Sequence, residues 1–309
     1  MENIEDIKLD DLEEECPIES IPDTTRWKKV KNCCGLSVLL VMPTDRLFIQ
    51  HWEVSLCIPI LIALVLIYSV VIYSILILRY LANSSLKIIS LFEVFFFLVL
   101  FIWSYCQSAF SDPGFLPFDW IRTKKTLYSW EEQLTGLAIR PDQIEFAKAH
   151  HPPFASFSEM SGRFIIRADH FCGWITNWVG KRNHKLFILM NLYGSILCLS
   201  TCFWTVYMML LDIKDIRSMF VHLTISMIFE LFFGIYQFIF FCINISNAIS
   251  NQTQIQQWKQ LQPARENWCT GIKEVFGQGN VCCYLCPTKA FHGEILMEEL
   301  VSQSSETYN

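Results

Sequence analysis

Asp169, His170 and Cys172 stand within the stretch Ala168–Phe187, ADHFCGWITNWVGKRNHKLF. These residue types suit thiol chemistry. A free cysteine has a pKa of about 8.5, so only a few per cent is thiolate at neutral pH. A neutral imidazole within hydrogen-bond reach takes the thiol proton, and a carboxylate beside it fixes the tautomer and stabilises the imidazolium. In an extended segment, side chains two residues apart share a face. His170 and Cys172 are therefore expected to point the same way, which suits attack on a thioester. Taken alone, the three residues serve equally well as an inert buried thiol beside a surface pair. The surrounding chain has to decide.

That chain has 309 residues, 52% of them hydrophobic and only 17% charged, against about 25% charged in ordinary soluble domains. This composition points to a membrane protein. A net charge of −6 with no dominant basic patch excludes nucleic acid as a partner. No cleavable signal peptide is expected, because Met1–Glu15 is acidic and polar. Residues 1–25 are expected to be disordered. Residues 26–53 read as a cytosolic juxtamembrane segment on the membrane surface; Cys33 and Cys34 there are either acyl carriers or ordinary thiols. Four apolar runs follow, at 54–78, 88–110, 186–211 and 219–245, each long enough to span a bilayer as a helix. The expected fold is an all-α membrane protein of four transmembrane helices. A small domain, 111–185, lies between the second and third, and a polar tail occupies 246–309. The N-terminal segment carries six Lys/Arg, the middle domain ten and the tail four, whereas the two short connections carry two each. The positive-inside rule then puts both termini and the middle domain in the cytosol.

Set on this plan, the motifs resemble the DHHC protein S-acyltransferases (palmitoyltransferases). Asp112-Pro113-Gly114 after the second span is similar to the family's DPG motif. Asp169-His170-Phe171-Cys172 is similar to its DHHC signature, and Trp174, Asn177, Val179-Gly180, Asn183 and Phe187 follow at family spacing. Thr253-Gln254-Ile255-Gln256 resembles the TTxE motif. Asn267, Gly271 and Val275-Phe276-Gly277 resemble the PaCCT motif. The resemblance covers roughly residues 54–277. It implies that Cys172, His170 and Asp169 are catalytic, and that a palmitoyl group passes from acyl-CoA to Cys172 and on to a substrate cysteine. It also implies structural roles for Asp112, Pro113, Gly114, Asn183, Thr253, Asn267 and Phe276, with Phe276 tucked under the active-site domain.

The family's middle domain holds two zinc ions with six Cys and two His. Those eight positions fall here on Ile144, Ala147, Phe157, Ser158, Ser161, Phe164, Phe171 and Trp178, so zinc is expected to be absent. The positions that resemble catalytic residues are kept while those that resemble metal ligands are all substituted. A structural zinc contributes about 10–16 kcal/mol of apparent binding free energy. Burying Phe157, Phe164, Phe171 and Trp178 would contribute roughly 6–12 kcal/mol, so an aromatic core is expected where the metals would sit. His150 and His151 are a weak metal signal without nearby cysteines.

The acyl chain needs a dry cavity, which the resemblance places among the spans. Lys181, Arg182 and Lys185 are candidates for the CoA phosphates, and equally a solvated positive flank. Cys282, Cys283 and Cys286 are candidate self-acylation sites. Glu93 and Glu230, inside apolar runs, are functional candidates by default. The expected partners are long-chain acyl-CoA, the bilayer and membrane-associated protein substrates on the cytosolic face. The expected location is an endomembrane, Golgi or ER, or else the plasma membrane. The competing readings are a catalytically inactive DHHC-like scaffold or partner subunit, and an unrelated four-span receptor or channel.

Overall fold

A computed structural model of the protein describes residues 27–33, 36–41, 46–49, 52–55, 57–115, 155–158, 161, 163–211, 219–260 and 267–291. The expectations for residues 1–25, Cys34, Ile144, Ala147, His150 and His151 lie outside the described residues. The chain divides into two units. One comprises residues 1–54, 114–167 and 292–309, the other 55–113 and 168–291.

In the first unit, β1 (Trp27–Cys33), β2 (Leu36–Val41), β3 (Arg46–Ile49) and β4 (Trp52–Glu53) form an antiparallel sheet in chain order. The pairing runs from Trp27↔Val41 to Cys33↔Leu36, with an irregularity between Lys29 and Lys31. The stretch expected to be a juxtamembrane segment is built as this meander. A hairpin of β5 (Ala155–Ser158) and β6 (Arg163–Ile166) belongs to the same unit. Ile166 donates its N–H to the Gly114 carbonyl, and Phe115 bridges to Ile165.

The second unit is built on four helices, each long and apolar enough to cross a membrane: α1 (Cys57–Tyr80), α2 (Ser84–Phe110), α3 (His184–Leu210) and α4 (Phe220–Ile249). The protein is therefore a mostly helical, multi-pass membrane protein. Asn83 caps α2, its side chain accepting from the Leu86 N–H. Asp112-Pro113 stops α2, because the residue before a proline is pushed out of the helical region. α3 begins two residues before the expected apolar run, and α4 ends four residues after it.

α3 is the most buried of the four. The others turn residues such as Leu64, Phe92, Val99 and Phe232 outward, as a lipid-facing surface should. Small residues set the close approaches. A Cβ on Gly234 of α4 would lie 2.9 Å from the Leu199 side chain of α3. Polar groups tie the spans where apolar packing against lipid-like surfaces gives no direction. Glu93 of α2 accepts from Ser200 Oγ at 2.8 Å and from Trp204 Nε1 at 3.3 Å, both on α3. Tyr73 of α1 donates to the Ser90 carbonyl of α2.

Among the described residues three short helices follow α4: α5 (Gln254–Trp258), α6 (Trp268–Phe276) and α7 (Val281–Leu285). Asn267 caps α6 by accepting from the Cys269 N–H, and Asn280 caps α7. Gly271 lets α6 lie against the end of α4, since a Cβ there would meet the Ala248 carbonyl oxygen at 2.1 Å.

Candidate active site

Asp169, His170 and Cys172 lie on a small hairpin of β7 (His170–Cys172) and β8 (Asn177–Val179), paired His170↔Val179, Phe171↔Trp178 and Cys172↔Asn177. Asp169 extends the ladder by donating its N–H to the Val179 carbonyl. The period of two puts His170 and Cys172 on one face and Phe171 on the other.

The hairpin is fixed to the end of α2 by two asparagines. Asn177 Nδ2 donates to the carbonyls of Ala109 and Ser111, both at 2.9 Å. Asn183, fully buried, donates to the carbonyls of Ser108 and Trp178 and accepts from the Gly180 N–H. Asp112 joins this support by pairing with Arg182 at 2.8 Å, and the Pro113 carbonyl accepts the Arg182 N–H. The DPG-like and Asn183 positions thus brace the hairpin against the second span.

Asp169 is fully buried and uses both oxygens. Oδ2 meets His170 Nδ1 at 2.8 Å, and Oδ1 accepts the Gln254 backbone N–H at 2.9 Å. Gln254 is presented by a capping box, in which Thr253 and Gln256 satisfy each other's backbone N–H groups. Cys172 is buried beside the His170 imidazole, on the same face of the hairpin. Burial alone would lower the His170 pKa; its hydrogen bond to the Asp169 carboxylate and the neighbouring Cys172 outweigh that and push it up to about 9. Burial alone would raise Asp169, but the His170 hydrogen bond and the neighbouring His184 hold it below the usual carboxylate value. Phe187 braces the imidazole edge-on, with ring centroids 5.2 Å apart. The arrangement suits an imidazole that takes the Cys172 proton and keeps it close at hand.

Cys172 also lines a cavity among the four spans, of about 980 Å³ counting its open side. On α3 the lining runs from Phe187 to Thr201, about 21 Å at 1.5 Å per residue. Trp174 stands beside Cys172 in this wall. Its Nε1 donates to Tyr236 Oη, and its carbonyl accepts from Tyr105 Oη. Tyr105, Tyr236, His184 and the Gln254 N–H escape the sequence reading. The last has no side-chain signature at all, and only the Thr253–Gln256 spacing hints at it.

The other candidates are placed as follows. Lys181 pairs with Glu274 and lies 4.6 Å from the Phe291 ring centroid. Arg182 pairs with Asp112, and Lys185 donates to the Cys283 carbonyl at 2.7 Å. Each cation therefore already has a partner within the protein. Phe276 packs with Ile188, Ala248 and Val275 and against the Tyr284 ring. Its place is at the ends of α3 and α4. Cys282 and Cys283 are exposed and Cys286 is half-buried, on and beside a helix that Tyr193 holds through the Leu285 carbonyl.

The eight positions that would hold zinc by resemblance do not fit the metal. None offers a thiolate or imidazole, and the described residues contain no cluster of potential ligands. Phe171 and Trp178 instead form a cross-strand aromatic pair, edge to face at 5.9 Å. Ser158 and Ser161 are buried, with the Ser161 N–H donating to Ser158 Oγ. Phe157 and Phe164 are register partners in the β5–β6 hairpin.

The family model for DHHC palmitoyltransferase matches residues 140–261. "Probable protein S-acyltransferase 12" of Arabidopsis thaliana is 24% identical over 211 residues, 64% of this chain and 71% of that protein. "Probable protein S-acyltransferase 13" of the same plant is 30% identical over 120 residues, 36% of this chain and 39% of the relative. "Palmitoyltransferase ZDHHC3-A" of Danio rerio is 28% identical over 190 residues, 56% of this chain and 57% of the relative.

Proposed function

We propose that this chain, which carries a DHHC palmitoyltransferase domain, is a membrane-bound protein S-acyltransferase working through a thioester on Cys172. The observation that carries the reading is the buried Asp169–His170 pair with Cys172 beside it, at the wall of a mostly apolar cavity lined by four spans. An extended chain advances about 1.2 Å per bond, by analogy with roughly 3.5 Å per three-bond residue in extended polypeptide. The 21 Å run of lining therefore suits an acyl chain of about 16 to 18 carbons.

In the first half-reaction His170 takes the Cys172 proton, and the thiolate attacks the carbonyl carbon of the acyl-CoA thioester. The new S–C bond forms, the bond to CoA sulfur breaks, and the leaving thiolate takes the proton back from His170. In the second, His170 takes the proton of an acceptor cysteine, whose sulfur attacks the Cys172 thioester and releases the Cys172 thiol. Asp169 stays ionised throughout and holds the imidazole. No step passes through a metal, because the zinc positions carry no ligands.

The acceptors are cysteines of proteins at the cytosolic face, where the lysine and arginine distribution places the hairpin. Golgi and ER are the proposed hosts, with the plasma membrane as alternative. CoA phosphates would reach Lys181, Arg182 and Lys185 by sharing them with Glu274, Asp112 and the Cys283 carbonyl. Cys282, Cys283 and Cys286 are proposed to accept acyl groups themselves.

The substituted zinc positions favour a second reading, an inactive scaffold. Labelled palmitoyl-CoA and the detergent-solubilised full chain separate the two. The transferase reading requires hydroxylamine-labile label that disappears in Cys172→Ser and falls at least a hundredfold in His170→Ala. Label that persists in Cys172→Ser, on tail cysteines alone, supports the scaffold.

A further inference from the structure

Glu230 and Gln237 of α4 face the mostly apolar cavity, whose wall also carries Ser69, Asn191, Thr201 and Tyr236. Glu230 is 3% exposed. Ser226 Oγ donates to its Oε1 at 2.8 Å, while Oε2 has no hydrogen-bond partner among the described residues. Thr201 lines the same cavity as Glu230, and its hydroxyl donates to the Leu197 and Cys198 carbonyls. Gln237 lies seven residues further along the same helix face, and its buried Oε1 is likewise unmet. Its carboxamide occupies the space over Gly194, where a Cβ would lie 1.7 Å from Oε1. The glycine makes room for a polar group in the cavity wall. No Lys, Arg or His lines this cavity. By contrast, Glu93, the carboxyl within α2, has a donor on each oxygen.

Unmet polar atoms in an apolar cavity are costly and call for a hydrogen-bonding partner. A saturated hydrocarbon chain supplies none. Glu230 lies level with Thr201, about 21 Å along α3 from Phe187, which touches the His170 ring. At about 1.2 Å per bond, that is the depth reached by the far end of a 16- to 18-carbon chain.

We infer that the cavity takes a long-chain acyl group hydroxylated at or near its methyl end, with that hydroxyl hydrogen-bonded to Glu230. The inference rests on the acyl-transfer reading for the identity of the chain. It goes further in naming the chemistry of its distal end. The hydroxyl arrives on the acyl-CoA, so transfer needs no further reagent.

The test uses the full chain with Cys172→Ser, so that binding is read without turnover. Palmitoyl-CoA and 16-hydroxypalmitoyl-CoA are titrated side by side, as are the two free acids. The hydroxylated ligands should bind at least tenfold more tightly. Glu230→Leu should erase the preference while keeping palmitoyl-CoA binding and thermal stability; Glu230→Gln, which keeps an acceptor, should retain most of it. Equal affinity in the parent, or a preference that survives in Glu230→Leu, overturns the assignment. Acyl loading of Cys172 in the unsubstituted chain is measured in parallel. Preferential binding of the hydroxy acid without any loading would defeat the transferase reading and leave the cavity assignment standing.

Discussion

The backbone N–H of Gln254 donates to Asp169 Oδ1 at 2.9 Å, joining the segment after the fourth span to the carboxylate that orients His170. One oxygen of Asp169 is thereby held by the fold and the other is left for the imidazole. The TTxE-like motif acts through this bond. Thr253 and Gln256 satisfy each other's backbone N–H groups, so the Gln254 N–H is free to point at Asp169.

Thr253→Ala should therefore act at a distance. Losing an N-cap side chain costs about 0.5–2 kcal/mol, and the Gln254 donor loses its aim. Acyl loading of Cys172 is expected to fall about tenfold, with palmitoyl-CoA affinity unchanged. Thr253→Ser, which keeps the hydroxyl, should restore most of the rate. Single-turnover loading of the three proteins checks this, and equal rates would show that the capping box does not position Asp169.

The raised His170 pKa gives the protein a basic limit. Folded His170 titrates near 9, against about 6.5 in an unfolded chain. The folded state thus binds the proton more tightly, and its contribution to stability is complete below about pH 6.5 and lost as pH rises to about 9. Thermal midpoints should decline across that window in the parent, with a smaller decline in His170→Asn. Acyl loading should fall above pH 9, where the imidazole no longer carries a proton for the departing thiolate. Asp169 runs the other way. Its lowered value contributes stability above the ordinary carboxylate range that disappears only in acid, outside this window.

The spans are legible in the sequence because runs of some two dozen residues with at most one or two ionisable side chains have few other uses. The relay is legible because its three residues are near neighbours and alternation sets their faces. The supports are less so. Asn183 reads as a motif position, but its bonds to Ser108 and Trp178 depend on how α2 ends. Lys181, Arg182 and Lys185 read as open cations, since nothing in a linear chain announces Glu274, Asp112 or the Cys283 carbonyl as partners. The β1–β4 meander is obscured because the apolar Val38–Val41 beside lysines resembles a membrane-surface segment, although Gly35 and Pro43 are residue types that favour turns.

Phe171 and Trp178 occupy two positions where the family resemblance implies zinc ligands, and pair across β7 and β8. Such a pair contributes about 0.5–1.5 kcal/mol beyond area burial, and truncating a buried Phe costs up to about 3–5. Both residues are only half-buried, so Phe171→Ala is expected to destabilise by about 2 kcal/mol. Treatment with a strong zinc chelator should leave the thermal midpoint and acyl loading unchanged, and elemental analysis should find no stoichiometric zinc. A chelator-induced loss of several degrees would mean that metal contributes to the fold after all.

Gly271 controls how the tail reaches the site. A Cβ there would meet the Ala248 carbonyl oxygen at 2.1 Å, and the Asn251 nitrogen and Ile249 oxygen at 3.1 Å. All three are backbone atoms, which cannot turn aside as a side chain would. Alanine must push α6 off the end of α4. That helix carries Val275 and Phe276 in the cluster with Ile188, and Glu274 paired with Lys181. Lys181 in turn sits in the turn joining the β7–β8 hairpin to α3. Gly271→Ala is thus expected to cost about 1–3 kcal/mol, as overpacking does, and to slow acyl loading through the loss of the Lys181–Glu274 pair. Glu274→Gln removes that pair without the clash. It should reproduce the slower loading and little of the instability. If Gly271→Ala were as stable and as readily loaded as the parent, α6 would not be seated against α4 in the folded protein.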